Sequence, residues 1–396
     1  MIVKKQVIIG LLFVVALVAA YFGLKKDIVP LQDNWEKAVP FQEVPQGLVS
    51  IRSEDCGVCH QAHYAEWKTS THAHAWTDMQ FQAELKKESS PFLCINCHIP
   101  LENQQEYLVE GLYDGDIYQP VRKKNPRFDV SIQAEGIGCA SCHVRDGAII
   151  GTIGSDKAPH KVKKDPKFLN ETLCMSCHNA NAVVTPELVC TFQTGDEWAA
   201  SSFHGQKNCI SCHMDTLQRP LVFGMPVRTS HLHSFSGSGI PKVKGLVVKS
   251  LNGMAFYPSK IKEKIEVTDS IHYQLTLKNE FAGHRLPTGD PERFYLIKLE
   301  IMDQSSGKTV FTKTDRIGET WEWYPTAKKI ADNNMNPGES RTYQLNYKPR
   351  SKGKYVIKSL VTKHRMDAKT AAYNGLSDEY PLFINAFEEE LAVEVY

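Results

Sequence analysis

The stretch EDCGVCHQAHYAEWKTSTHAHAW, residues 54–76, sets Cys56 and Cys59 three residues apart, puts His60 directly after them, and then supplies His63, His72 and His74 among two tryptophans. The arrangement is a repeat. Cys-x-x-Cys-His returns at Cys94, Cys97 and His98, at Cys139, Cys142 and His143, at Cys174, Cys177 and His178, and at Cys209, Cys212 and His213. With 11 cysteines and 15 histidines in 396 residues, chance would give about 0.01 such pentapeptides. Only Cys190 stands outside the pattern, either as a small buried thiol or as one that pairs between chains.

C-x-x-C-H is the attachment signature of c-type haem. Two thiols add to the two vinyl groups of one haem, and the adjacent histidine lies under the iron as the proximal ligand. Zinc ribbons take cysteine pairs in twos and would leave one of five pairs over. Neither zinc nor a redox dithiol requires a histidine after every pair. The repeats therefore predict five c-type haems, with His60, His98, His143, His178 and His213 as proximal ligands. The first cysteines are spaced by 38, 45, 35 and 35 residues. Segments so short cannot each build a core, so the haems must form much of the interior and lie close together.

Each iron has a second axial position, and ten histidines lie outside the motifs: His63, His72, His74, His160, His204, His231, His233, His272, His284 and His364. Two segments echo one another. Glu66-Trp67 followed by Ser70-Thr71-His72 is matched by Glu197-Trp198 followed by Ser202-Phe203-His204, with one extra residue in the second. An aromatic ring ahead of a ligand histidine would shield a haem face from water; the bland reading is a surface helix with a chance histidine.

The strings CGVCHQAHYAEWKTSTHAHAW, CINCHIPLENQ, GIGCASCHVRDGAIIG and EWAASSFHGQKNCISCHM resemble multihaem cytochromes of the cytochrome c-554 type, distant relatives of pentahaem nitrite reductases and octahaem hydroxylamine oxidoreductases. The resemblance covers residues 51–236. It implies that His72, His160, His204, His231 and His233 are distal ligands, five for five haems. His63 or His74 remain alternatives to His72, and His63 could instead contact the surface or a propionate. Met79, Met175 and Met214 are near motifs, but the supply of histidines favours His/His ligation and low potentials.

The formal charge of +1 gives no electrostatic case for nucleic acid or an acidic membrane surface. Ten haem propionates would make the loaded protein more acidic. Val7 to Leu24 is an uncharged apolar run flanked by lysines, and its roughly 27 Å as helix approaches the ~30 Å of a bilayer core. It reads as a retained anchor, or as a secretory signal. Haem attachment of this type occurs outside the cytoplasmic membrane. The expected location is therefore that membrane, N-terminus inside, with the remaining chain periplasmic or outside the cell.

Beyond Ser236 the cysteines stop and short alternating runs such as KIEVTDSIHYQLTLKN and KYVIKSLVTKH follow, separated by turns at Ser305-Ser306-Gly307 and Asn336-Pro337-Gly338. These predict an immunoglobulin-like β-sandwich. The loop AGHRLPTGDPERF, residues 282–294, interrupts them. There His284 either meets a haem edge or propionate or belongs to a rigid connector. The expected fold is α+β multidomain: an N-terminal transmembrane anchor over 1–26, a linker over 27–50, a mainly α or irregular pentahaem domain over 51–236, a second linker over 237–245, and a β-sandwich over 246–396. The expected function is electron transfer along closely packed haems in a respiratory chain, with a quinol-oxidising membrane complex or other cytochromes as redox partners, alone or as a subunit of a larger complex. No catalytic residue is assigned. The alternative is an oxidoreductase with one five-coordinate haem that acts on a small nitrogen or sulfur species.

Overall fold

The computed structural model describes residues 26–32, 36–87, 90–185, 188–323 and 325–396. The expected anchor over Val7–Leu24 lies outside these. Among the described residues the longest helices, Gln61–Lys68 and Glu171–His178, have eight residues, and none is long and apolar enough to cross a membrane. A span needs about 20 residues. The transmembrane element of the fold class, and the membrane location and attachment built on it, find no support among the described residues.

The helices are short because each motif needs little more than one turn. Ser53–Cys59 (α1), Phe92–His98 (α4), Cys139–His143 (α6), Glu171–His178 (α7) and Cys209–His213 (α9) carry the five motifs. Gln61–Lys68 (α2), Met79–Leu85 (α3), Val130–Gln133 (α5), Thr194–Ala199 (α8) and Ala368–Tyr373 (α10) complete the set. Cysteines at i and i+3 share one helix face. Asn170 and Asn208 cap α7 and α9, each side chain accepting a first-turn backbone N–H, which fixes where those motifs begin.

Between the motifs the chain forms hairpins rather than further helix. Tyr107–Tyr113 pairs with Pro120–Lys124, Val144–Arg145 with Ala148–Gly151, Asn181–Thr185 with Leu188–Thr191, and Thr216–Pro220 with Val227–His231. Although among the described residues of 51–236 helix still exceeds strand, the expectation of an α+β fold is corrected at the level of the chain, where strands dominate and helix is confined to short pieces. The tight turn Asp146-Gly147 shows why, since both residues have positive φ, 54° and 66°, the geometry a two-residue hairpin with right-handed twist requires.

Two sheets of three and six strands follow. The smaller holds Met254–Pro258, Ile271–Asn279 and Ser340–Tyr347. The larger centres on Phe294–Asp303 (β14) and Gly353–His364 (β18), flanked by Lys308–Glu322 and Phe383–Val395. Ile271–Asn279 alternates inward Tyr273, Leu275 and Leu277 with outward polar residues, as a strand with one wet face must. Those three pack with Ile297, Leu299 and Ile301 of the facing sheet in one fully buried core. At roughly 1.5–3 kcal/mol per large buried side chain, this core holds the β region together. The motif region has only small clusters, around Ile51, Leu101 and Val144 and around Phe92 and Leu112.

The two regions meet at Asp78, just ahead of α3. Its buried carboxylate accepts from Tyr380 Oη at 2.6 Å, pairs with Lys242, and lies 3.7 Å from Arg365 beyond β18. Arg365 also donates to the carbonyls of Ile240 and Pro241, both at 3.0 Å.

Candidate functional site

What the motif region lacks in core it has in cavity. An apolar space of about 3090 Å³, at least three times an ordinary ligand cleft of ~300–1,000 Å³, is lined by all five motifs, by residues 282–294 and by the end of β18. The motifs converge on it. Cys56 shares a hydrogen bond with Cys139, Cys174 with Cys209, and Cys177 with Cys97, so the first and third sites adjoin, and the fourth adjoins both the fifth and the second.

The motif imidazoles are set for ligation. Nδ1 of His98, His143 and His213 donates to the carbonyls of Ala75, Ile150 and Ser236 at 2.7, 3.0 and 2.6 Å, and Nδ1 of His60 to that of Leu221 at 3.3 Å. A carbonyl only accepts, so Nδ1 carries the proton and Nε2 keeps its lone pair. Burial disfavours the imidazolium, holding His98 and His178 at a pKa of about 4 and His143 below the ordinary value. These three rings are neutral at pH 7, the form that binds a metal.

Four motif histidines face a second imidazole. The ring centres of His60 and His160 are 6.5 Å apart, and those of His72 and His178, His143 and His233, and His213 and His284 are each 6.2 Å apart. Two imidazoles on opposite sides of one first-row metal, at about 2 Å per bond, bring ring centres to about 6.2 Å. Burial lowers three of the facing rings as well, His72 to about 3 and His233 and His284 to about 4. Nδ1 of His233 donates to the His231 carbonyl at 3.0 Å and Nδ1 of His284 to that of Arg285 at 2.9 Å. Cavity and donor set thus fit bis-imidazole haem.

Of the five distal candidates, His72, His160 and His233 stand opposite motif histidines. His204 and His231 do not. The His204 ring lies edge-on to Trp198 at 4.7 Å. The His231 ring gives Nδ1 to the Met214 carbonyl at 2.8 Å. His284, read as a haem-edge contact or part of a connector, takes the place opposite His213. Its signal was a spare histidine in a Gly/Pro loop that breaks the strand pattern. His63 bonds Ser230 Oγ through Nε2 at 2.9 Å, leaving Nδ1 buried and unpaired, and His74 leaves Nε2 so.

The second motif is different. Among the described residues His98 meets no second imidazole; the Phe81 ring lies parallel to it at 3.6 Å. Phe235 links the remaining groups. Its ring contacts His72 at 4.4 Å and His233 at 5.8 Å, and its φ of 46° is an outlier for a bulky residue.

Residues 55–114 match the family described as cytochrome c554 and c-prime. The structure is similar to that of a penta-heme cytochrome c552 from Thermochromatium tepidum, with a TM-score of 0.61 and 19% identity over 88% of this chain and 100% of that one. The CARDB domain of the PF1109 protein from Pyrococcus furiosus matches 36% of this chain and 91% of its own, at 16% identity and a TM-score of 0.20. No curated protein matches the sequence. The repeated motif, the family match over residues 55–114 and the shared fold make the chain similar to multihaem c-type cytochromes. This likeness, with the five motifs, supports haem c as the cofactor.

Proposed function

We propose that the chain carries five haems and relays electrons along them within a respiratory chain, exchanging them with a redox partner protein. The observation behind this is the set of four opposed imidazole pairs. When bound, each haem supplies a one-electron iron couple. His60 and His160, His143 and His233, His178 and His72, and His213 and His284 would hold four of them. The fifth would be held by His98 alone, with the ten motif cysteines as attachment points. Two neutral imidazoles keep a potential low, where a methionine ligand would raise it. The adjoining cysteine pairs support close spacing of the sites.

His98 supports a second reading, in which an open axial position takes up a small nitrogen or sulfur species. Phe81 fixes the imidazole plane, and the buried Asp78 and Lys242 are the charged groups that act on it. The deciding experiment is low-temperature EPR of the oxidised protein, after mass spectrometry has established five covalent haems. One high-spin haem, lost in a His98→Ala variant, supports the second reading and calls for substrate screening. Five low-spin haems leave no vacant iron and sink it. A mass for fewer than five haems overturns the five-haem reading.

A further inference from the structure

The sequence echo that points to His72 and His204 is conserved in space through a different residue, its glutamate. Glu66 Oε2 accepts the backbone N–H of His233 at 2.8 Å. Glu197 Oε2 accepts the backbone N–H of Arg285, directly after His284, at 3.2 Å. Each glutamate thus reaches from a short helix to a distant segment and holds the backbone at an imidazole facing a motif histidine, His143 in one case and His213 in the other. Both contacts are reinforced. Arg219 forms a two-pronged pair with Glu66 and donates to the His231 carbonyl at 3.1 Å. The same His231 carbonyl receives Nδ1 of His233. Glu197 Oε2 also accepts from Thr288 Oγ1 at 2.6 Å, and so grips the loop at two points just after His284. The tryptophan that follows each glutamate ties its helix down, Trp67 Nε1 donating to Ile137 O at 2.8 Å and Trp198 Nε1 to Lys207 O at 2.9 Å.

We infer that Glu66 and Glu197 are positioning residues for axial ligands: Glu66 sets His233 on the haem of the third motif, and Glu197 sets His284 on that of the fifth. The inference rests on the imidazole pairing proposed above. Its physical basis is that both histidines lie on non-helical chain, where backbone placement is set by what the N–H groups bond to. A half-buried carboxylate is a strong, directional acceptor for those groups. Glu66 is balanced by Arg219. For Glu197, burial raises the carboxyl pKa while the bonds from Thr288 and Arg285 act against the rise.

The test uses the full haem-loaded protein, with EPR and spectropotentiometric titration as readouts and His233→Met and His284→Met as references. The expected result is that Glu66→Ala alters the low-spin component altered by His233→Met, and Glu197→Ala the one altered by His284→Met. Haem number stays unchanged, and Glu66→Gln and Glu197→Gln, whose amide oxygen still accepts, restore the wild-type signals. If the histidine references move a component and the alanine variants move none, the inference is overturned. Equal change in every haem, or no rescue by glutamine, also overturns it in favour of a general structural role. References that change nothing would instead remove the underlying ligand assignment. Should the alanine variants fail to accumulate, Thr288→Val decides: it must move the His284 component and no other.

Discussion

At the scale of the residue, ligation depends on where one ring nitrogen points. His72 and His204 follow similar peptides, yet one faces His178 and the other leans on Trp198. The second peptide carries one residue more, and both histidines lie in turns beyond their helices. His72→Met is expected to raise the potential of a single haem with all haems retained, whereas His204→Ala should leave every potential unchanged; spectropotentiometry reads both. Phe235 shows a further residue-scale device. Its left-handed backbone places its ring against His72 and His233, while the next carbonyl reaches His213 Nδ1, so the local strain serves three sites at once.

At the scale of the element, short helices and hairpins cannot hold themselves, and buried polar joints hold them together. Arg365 ties β18 to Asp78 and to the carbonyls of residues 240 and 241. Arg365→Ala leaves Asp78 with fewer partners in a buried place, and a loss of about 3–5 kcal/mol is expected, measured by denaturant titration. Beside it, Gln80 on α3 donates at 3.0 Å to Glu84 and at 3.4 and 3.5 Å to Asp290 and Glu292 ahead of β14. Burial, and then the charge of Asp290, pushes Glu84 up to about 7 and Glu292 to about 9. A carboxyl raised in the folded state favours folding below its ordinary value of 4.5, and that contribution is lost as pH rises through about 7. Wild-type stability should therefore decline from pH 5 to 8 more steeply than that of Glu84→Gln. Parallel denaturation curves across this range would contradict it.

At the scale of the whole molecule, the two halves are stabilised by different means. Residues 254–395 bury a continuous apolar core, while the motif region surrounds a large apolar cavity with only small clusters of its own. An apolar space of that size is unstable when empty, since its lining lacks partner atoms. Protein produced without haem attachment should show hydrogen exchange at the unfolded rate in most of residues 51–236 and strong protection in the strands beyond 254. Equal protection in both would show that the motif region folds without haem.

The chain by itself determined the chemistry of attachment and much of the second half. Cys-x-x-Cys-His is a local signal, because two thiols and an imidazole within five residues meet one haem. The strands beyond 254 are legible because alternation reports a one-sided sheet directly. His284 and the glutamate clamps could not be read, since a second imidazole or a backbone acceptor arrives from about 70 to 170 residues away, as from His284 to His213 or His233 to Glu66. The hairpins between motifs were missed because their strands are short and half-polar, and turns such as Asp146-Gly147 were their only mark. Tertiary structure decided which imidazole faces which, because axial pairing is a property of two surfaces across a cavity, and no local pattern encodes that distance.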